Sequence, residues 1–320
     1  MDFVERVLVL RGPSNIEKFR LSCEPKDDQS RIGTWISAAV NRNVKDVTFI
    51  DDQSTQQLFS LPNLVELEID DCSWKNLVSI TICAPKLQRL TIFEPHESTP
   101  ANSGGCHVRI FRTHLAHFSC CGTLTNEICF VESSVVESCI SLYSDFYRPR
   151  QSAWLSYKLL EGISSVETLC LTPDVLHVLD HASDLLAFPL EFRNLTSLIF
   201  DSDKLKLHRA GFWHILHNSP NLRSLHLSEV GLSEVPSNCR ENGTLDPAPP
   251  CFLSCLHFVQ VHNFIGREKA IAAVGFLLKN AKALDEMWIR LAGSGVMTNK
   301  IHRRLHDLPR WSKIGKIYSG

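Results

Sequence analysis

The chain has 320 residues, 44% hydrophobic and 21% charged, which is the balance of a folded globular protein rather than a disordered or fibrous one. Its formal net charge of −2 gives no electrostatic drive toward nucleic acid or an anionic membrane, and no apolar run approaches the ~18–20 residues that cross a bilayer. The start, MDFVERVLVLRG, carries Asp2 and Glu5 where a secretory leader carries positive charge and has no small-residue cleavage site, so the expected location is the cytoplasm or nucleus.

In chain order, residues 3–23 predict an apolar lead-in and a first strand at 16–21. Residues 27–43 predict a helix, because Ile32, Trp35, Ile36, Ala39 and Val40 share one face and Asp28 or Ser30 can cap its start. Strands near 44–49, 64–69, 77–82 and 87–92 follow in quick succession. Residues 95–105 (PHESTPANSGG) are a breaker-rich loop, and 106–150 is the least regular part. A helix at 153–161 with Gly162 as its stop, a strand at 163–171 and a helical or irregular stretch at 174–187 come next. Residues 207–218 place Phe212, Ile215 and Leu216 at helical spacing before Pro220, and a strand follows at 222–227. After the breaker-rich segment 238–250 come a strand at 256–261, a helix at 266–281 with Ile271, Val274, Leu277 and Leu278 inward, a strand at 284–289 and a short basic helix at 299–308.

The strands share a frame. Leu64-x-x-Leu67-x-Ile69-x-x-Cys72 fits the leucine-rich-repeat template position by position. Relaxed to any apolar residue, the triplet recurs at Val44-x-x-Val47-x-Phe49, Leu77-x-x-Ile80-x-Ile82, Leu87-x-x-Leu90-x-Ile92 and Val166-x-x-Leu169-x-Leu171. It continues at Leu195-x-x-Leu198-x-Phe200, Leu222-x-x-Leu225-x-Leu227, Leu256-x-x-Val259-x-Val261 and Leu284-x-x-Met287-x-Ile289. Leu115-x-x-Phe118-x-Cys120 and Val135-x-x-Ser138-x-Ile140 are degraded copies. The expected fold class is therefore α/β: a leucine-rich-repeat solenoid with a curved, mostly parallel sheet and helices or loops on the convex side. The short step from 77–82 to 87–92 leaves room only for turns. The expected organisation is a solenoid over 1–237, a breaker-rich loop over 238–250 and a capped terminal unit over 251–320. Twelve scattered cysteines, several in strand frames, read as small buried hydrophobes of a reducing compartment.

The wording of the chain also resembles a family, the plant F-box/LRR proteins with a C-terminal FBD region. The resemblance rests on FVERVLVLRGPSNIEKFRLSC (3–23), TWISAAVNRNVKDV (34–47), CAPKLQRLTI (83–92), LLEGISSVETLCL (159–171), FRNLTSLIFD (192–201) and SPNLRSLHLSE (219–229). The FBD-like part is CFLSCLHFVQVHNFIGREKAIAAVGFLLKNAKALDEMWI (251–289). It implies a substrate-recognition subunit of an SCF ubiquitin ligase, whose F-box docks on the ligase adaptor while the repeats hold a target protein. The F-box would precede residue 3, so the adaptor is an expected partner only if an F-box is supplied upstream. A repeat-only scaffold or decoy, not coupled to ubiquitination, is the alternative.

Catalytic and metal readings fare worse than structural ones. Cys251-x3-Cys255-x-His257-x4-His262 has zinc-type donors, but a strand over 256–261 would not turn them all one way. His208, His214 and His217 lie near Trp213 without a carboxylate or nucleophile pattern, and Gly293-Ser294-Gly295 lacks the nucleophile-elbow spacing. The basic residues His302–Arg304, Arg310 and Lys313 read as a solvated end cap. No cofactor, enzymatic activity, nucleic acid or membrane is expected. What remains is a partner-binding concave face made by the outward positions of the frame: Glu66, Glu68 and Asp70; Arg89, Thr91 and Phe93; Thr168, Cys170 and Thr172; Ser224, His226 and Ser228. Acidity at 66–70 points to a partner with basic residues there.

Overall fold

A parallel strand can reach its neighbour only through a return connection, and the way that return is made divides this chain. The computed structural model describes residues 18–20, 46–49, 56–60, 63–70, 79–94, 105–143, 148–231, 236, 239–292, 301–305, 307–308 and 316–319. The chain falls into two units, Met1–Ile163 and Ser164–Gly320. Every ladder among the described residues is parallel, and the one antiparallel contact is an isolated bridge between Cys239 and Leu245. The α/β class with mostly parallel strands is thus as expected.

In the first unit the strands alternate between two sheets. One sheet runs β1 (Lys18–Arg20), β2 (Asp46–Phe49), β4 (Glu66–Asp70), β6 (Arg89–Phe93), β8 (His114–Gly122) and β10 (Ser134–Leu142). The other runs β3 (Gln56–Ser60), β5 (Ser79–Cys83), β7 (His107–Phe111) and β9 (Glu127–Val131). This corrects the expectation that 64–69, 77–82 and 87–92 are successive strands of one sheet. Only residues 84–88 join β5 to β6. A parallel crossover within one sheet needs about a dozen residues or more. The turn therefore delivers the chain to the other sheet.

The inward positions stack in register. Leu67, Leu90, Phe118 and Ser138 form one row, and Ile69, Ile92, Cys120 and Ile140 the next, all buried. The degraded copies are accounted for by volume. Phe118 fills the space between the sheets and meets Phe130 of β9 edge-on at 5.1 Å, so a small Ser138 sits beside it. The turns after β7 and β9 repeat at an offset of 20 residues. Arg112 and Glu132 both take left-handed φ, 52° and 48°, and pair at 2.7 Å.

A helix, α1 (Pro149–Gly162), closes the unit by packing on β9. Gly162 does not stop it through a left-handed cap as expected. Its role is close approach, since a Cβ there would lie 3.1 Å from the Phe130 ring.

Each return in the second unit carries helix. The order is β11 (Thr168–Leu171), α2 (Pro173–Leu179) with a 3₁₀ segment (Asp180–Ala187), β12 (Ser197–Lys206), α3 (Ala210–His217), β13 (Ser224–Gly231), α4 (Pro250–Ser254), β14 (Phe258–Phe264), α5 (Glu268–Asn280), β15 (Glu286–Leu291) and β16 (Lys316–Ser319). Leu169, Leu198, Leu225, Val259 and Met287 align in one buried row; Leu171, Phe200, Leu227, Val261 and Ile289 align in the next. The helices meet this core with Trp213 and with Phe212, Phe252 and Phe276, whose ring centroids lie 4.9–6.0 Å from that of Trp213. The predicted helix at 27–43, the 95–104 loop, Gly293–Gly295, Arg310 and Lys313 lie outside the described residues. Residues 301–305 are helical, and Arg304 pairs with Glu268 at 2.6 Å.

One buried carboxylate ties the first unit's turns together. Glu94, 7% accessible, follows β6 and accepts the Thr125 N–H at 2.5 Å, the Asn126 Nδ2 at 2.9 Å, the Thr125 hydroxyl at 3.2 Å and the Asn126 N–H at 3.3 Å. Gly122 leaves room for it, because a Cβ there would come within 2.7 Å of the Glu94 Cβ. Burial raises the Glu94 pKa above its ordinary 4.5, and the four hydrogen bonds only partly offset this.

Two predictions follow from the packing. Leu67→Asp places an unpaired charge at a 2%-exposed inward position and should cost more than ~3 kcal/mol, whereas Glu68→Ala should cost less than ~0.5 kcal/mol by urea unfolding. Equal effects would reverse the facing of β4. For Glu94, the folded pKa exceeds the unfolded one, so its contribution is complete below pH 4.5 and is lost as pH rises through the folded value. Unfolding free energy should therefore decline with rising pH above 4.5, and Glu94→Gln should flatten that decline.

Candidate interaction surface

Alternation along each strand turns every second side chain away from the core, so stacked strands display rows of outward residues. In the first unit the leading row is Glu66, Arg89, His117 and Glu137. Side chains pair across it: Arg89 with Glu66 at 2.6 Å, opposite charges, and His117 Nδ1 with the Glu137 carboxylate at 2.9 Å. The acidity expected at 66–70 is therefore partly neutralised by the neighbouring strand. Glu68 and Thr91 are half-buried on the following row and Phe93 is 37% exposed on the third; the Asp70 side chain lies outside the described residues. Phe93 is in register with Cys121, whose thiol lies 3.7 Å from the Tyr143 hydroxyl.

In the second unit Thr168, Cys170, Ser224 and His226 sit on the outward rows as expected and are half-buried. Two of the expected positions are corrected. Thr172 is past the end of β11 and occupies the N-cap position of α2, because Pro173 starts a helix there. Ser228 is on an outward row but only 8% accessible, and Asn263 donates its Nδ2 to the Ser228 hydroxyl at 3.3 Å.

The most exposed aromatic group on this face comes from residues the outward set did not include. Thr168, Ser197, Ser224, Phe258 and Glu286 align in one row, and Cys170, Ile199, His226, Gln260 and Trp288 in the next. The His226 and Phe258 rings lie 5.6 Å apart, and Phe258 and Trp288 6.4 Å apart. His226 Nδ1 hydrogen-bonds Gln260 Oε1 at 3.0 Å, and the Trp288 indole N–H donates to Glu286 at 3.2 Å. Trp288 is 44% exposed. The frame itself identifies these positions, since Phe258 and Gln260 flank Val259, and Glu286 and Trp288 flank Met287. The expected outward set stops at Ser228, before the terminal unit over 251–320 to which they belong.

The histidine and cysteine candidates are dispersed. Cys251 is buried in α4, its thiol bonded to the Leu216 carbonyl at 3.6 Å and its pKa pushed by burial up to about 12. His257 pairs with Asp285 at 2.9 Å, Cys255 lies against Ser254, and His262 is on the outward side of β14. Among the described residues no group of three or more His, Cys, Asp or Glu is arranged to hold a metal ion. His214 and His217 occupy the last turn of α3, where burial lowers both pKa values; Coulombic repulsion from His217 lowers His214 further. No described helix is long and apolar enough to cross a membrane.

Residues 246–289, which carry Phe258, Gln260, Glu286 and Trp288, match the FBD family model. A putative F-box/LRR-repeat protein of Arabidopsis thaliana is 28% identical over 300 residues, covering 75% of this chain and 65% of the relative. An F-box/FBD/LRR-repeat protein of the same plant is 27% identical over 258 residues, covering 75% of this chain and 51% of the relative. A putative F-box protein is 24% identical over 378 residues, covering 98% and 77%. The chain is thus similar to plant F-box/LRR proteins, some of which carry an FBD region. It spans less than two thirds of the first of these relatives. No solved structure matches it.

Within the second unit the outward and inward residues of the strands should part cleanly. Trp288→Ala, at an exposed position, should change stability by less than ~1 kcal/mol, whereas Leu225→Ala, fully buried, should cost ~2–5 kcal/mol in chemical denaturation. A large loss from Trp288→Ala would make that indole a structural group.

Proposed function

We propose that this chain is the target-recognition part of an F-box/LRR subunit of an SCF ubiquitin ligase. On this reading it is a non-enzymatic interaction module whose parallel strands are the sheets of leucine-rich-repeat solenoid turns. The observation that carries the reading is the outward aromatic pair of the FBD segment, Phe258 and Trp288, diagonal neighbours on adjacent strands with rings 6.4 Å apart. Exposed tryptophan flanked by polar groups is the composition of binding hot spots, because a large rigid ring buries much area at little conformational cost. The sheet behind it holds the rings in place without any backbone rearrangement. The family of the relatives supports coupling to ubiquitination, with the F-box of the full-length subunit making the contact to the ligase adaptor. A free-standing scaffold would bind the same target through the same face without delivering it.

The experiment uses the 320-residue chain joined to the F-box of an Arabidopsis relative, purified with its bound proteins from plant cells. The adaptor and a target should co-purify, and the target's ubiquitination should require the F-box. Trp288→Ala should lower target recovery by about tenfold and leave adaptor recovery unchanged, a loss of ~1.4 kcal/mol in target binding. Undiminished target recovery would remove Trp288 from the grip. Target ubiquitination without any F-box would remove the ligase coupling as stated.

A further inference from the structure

The far end of the second unit's outward face has a charge character opposite to that expected from the acidic stretch at 66–70. Leu227, Val261 and Ile289 are Cα partners on β13, β14 and β15, and all three point inward. The next residues on β14 and β15, His262 and Arg290, therefore emerge on the outward side of adjacent strands, at the place where the register shifts before Phe264 pairs with Leu291. His226, one residue before Leu227, stands on the next strand with its ring fixed by the 3.0 Å bond to Gln260. Arg290 is exposed, and among the described residues no carboxylate pairs with it. Among the described side chains the carboxylate that acts on His262 is Asp201 on β12, a strand separated from β14 by β13.

We infer that Arg290, His262 and His226 form a seat for a carboxylate side chain, Asp or Glu, on the partner segment that lies across Phe258 and Trp288. The inference rests on the proposed partner-binding face and specifies the chemistry of what it holds. A guanidinium and an imidazole on neighbouring strands match the two oxygens of a carboxylate, and the adjoining rings take the apolar side chains beside it. The seat also gives the contact a pH dependence. Burial first, then Arg290 and His226, hold His262 below its ordinary pKa, while Asp201 acts the other way. A carboxylate arriving between His262 and Arg290 favours the imidazolium, so binding takes up a proton and tightens as pH falls.

The probes are acetyl-Gly-Leu-Glu-Leu-Gly-amide and the same peptide with Gln or Lys at the centre, titrated into the full chain and followed by NMR of the histidine rings and the tryptophan indoles. The Glu peptide should bind at least about tenfold more tightly than the Gln or Lys peptide, ~1.4 kcal/mol, and more tightly at pH 6 than at pH 8. It should also raise the apparent pKa of His262. Arg290→Gln should abolish the preference for Glu and, in the free chain, raise the His262 pKa, which verifies that the variant is folded with the seat intact. Equal binding of Glu and Gln peptides, or a Glu preference that survives Arg290→Gln, would overturn the carboxylate seat. Binding of all three peptides with the Trp288 signal moving would leave the aromatic grip standing. The two readings therefore fail separately.

Discussion

Parallel, in-register stacking is the constraint from which the rest of the molecule follows. A backbone group in the middle of a strand has no partner within its own strand, so each turn of chain is satisfied only by the turn before and the turn after. Register then decides everything at the side-chain level, because a one-residue slip would exchange the two faces. In the second unit, Leu169, Leu198, Leu225, Val259 and Met287 keep that register across five strands. A slip anywhere along this row would put a leucine into water and Trp288 or His226 into the core.

The two units meet the same constraint with different returns. In the first, the return is a second sheet, and short corners such as Arg112 and Glu132 accept left-handed backbone to make it. In the second, helices such as α3 and α5 carry the chain back and add their own apolar faces, Phe212 and Phe276 among them, to the core. In the first unit a polar tie supplements the apolar contacts between the sheets. The Glu94 carboxylate, bonded to Thr125 and Asn126, is such a tie, and its raised pKa is the electrostatic consequence of placing it in the interior.

Much of this is legible in the amino-acid sequence. The triplet frame located the inward residues of β4, β6, β11, β12, β13, β14 and β15, because a period of two is a direct record of which side faces apolar neighbours. The helix at 268–280 announced itself through Ile271, Val274, Leu277 and Leu278. What escaped were features set by distant neighbours. A triplet at 77–82 looks the same whichever sheet it joins, and only the shortness of residues 84–88 reveals the change. Ser138 looks like a broken repeat until Phe118 is beside it. The cover over Ser228 comes from Asn263 on another strand, and the companions of His226 come from the terminal unit beyond the 238–250 segment. The family resemblance, carried by whole phrases rather than by periodicity, supplied the FBD region that the triplets alone do not distinguish.

The outward rows also explain why the candidate grip belongs in the FBD segment rather than at the acidic stretch near residue 66. Glu66 already has its counter-charge in Arg89, and His117 has Glu137, so a partner docking there would have to displace pairs whose energies are near zero in water but whose desolvation is not. Phe258 and Trp288 involve less of that cost. Their rings are only partly covered, the polar groups beside them are bonded to one another, and burying them removes apolar area from water without breaking an ion pair. Specificity would then come from Arg290, two residues after Trp288 on β15, which no described carboxylate pairs with. An unpaired guanidinium at the edge of an aromatic row favours a partner that brings the missing charge and disfavours one that repeats it.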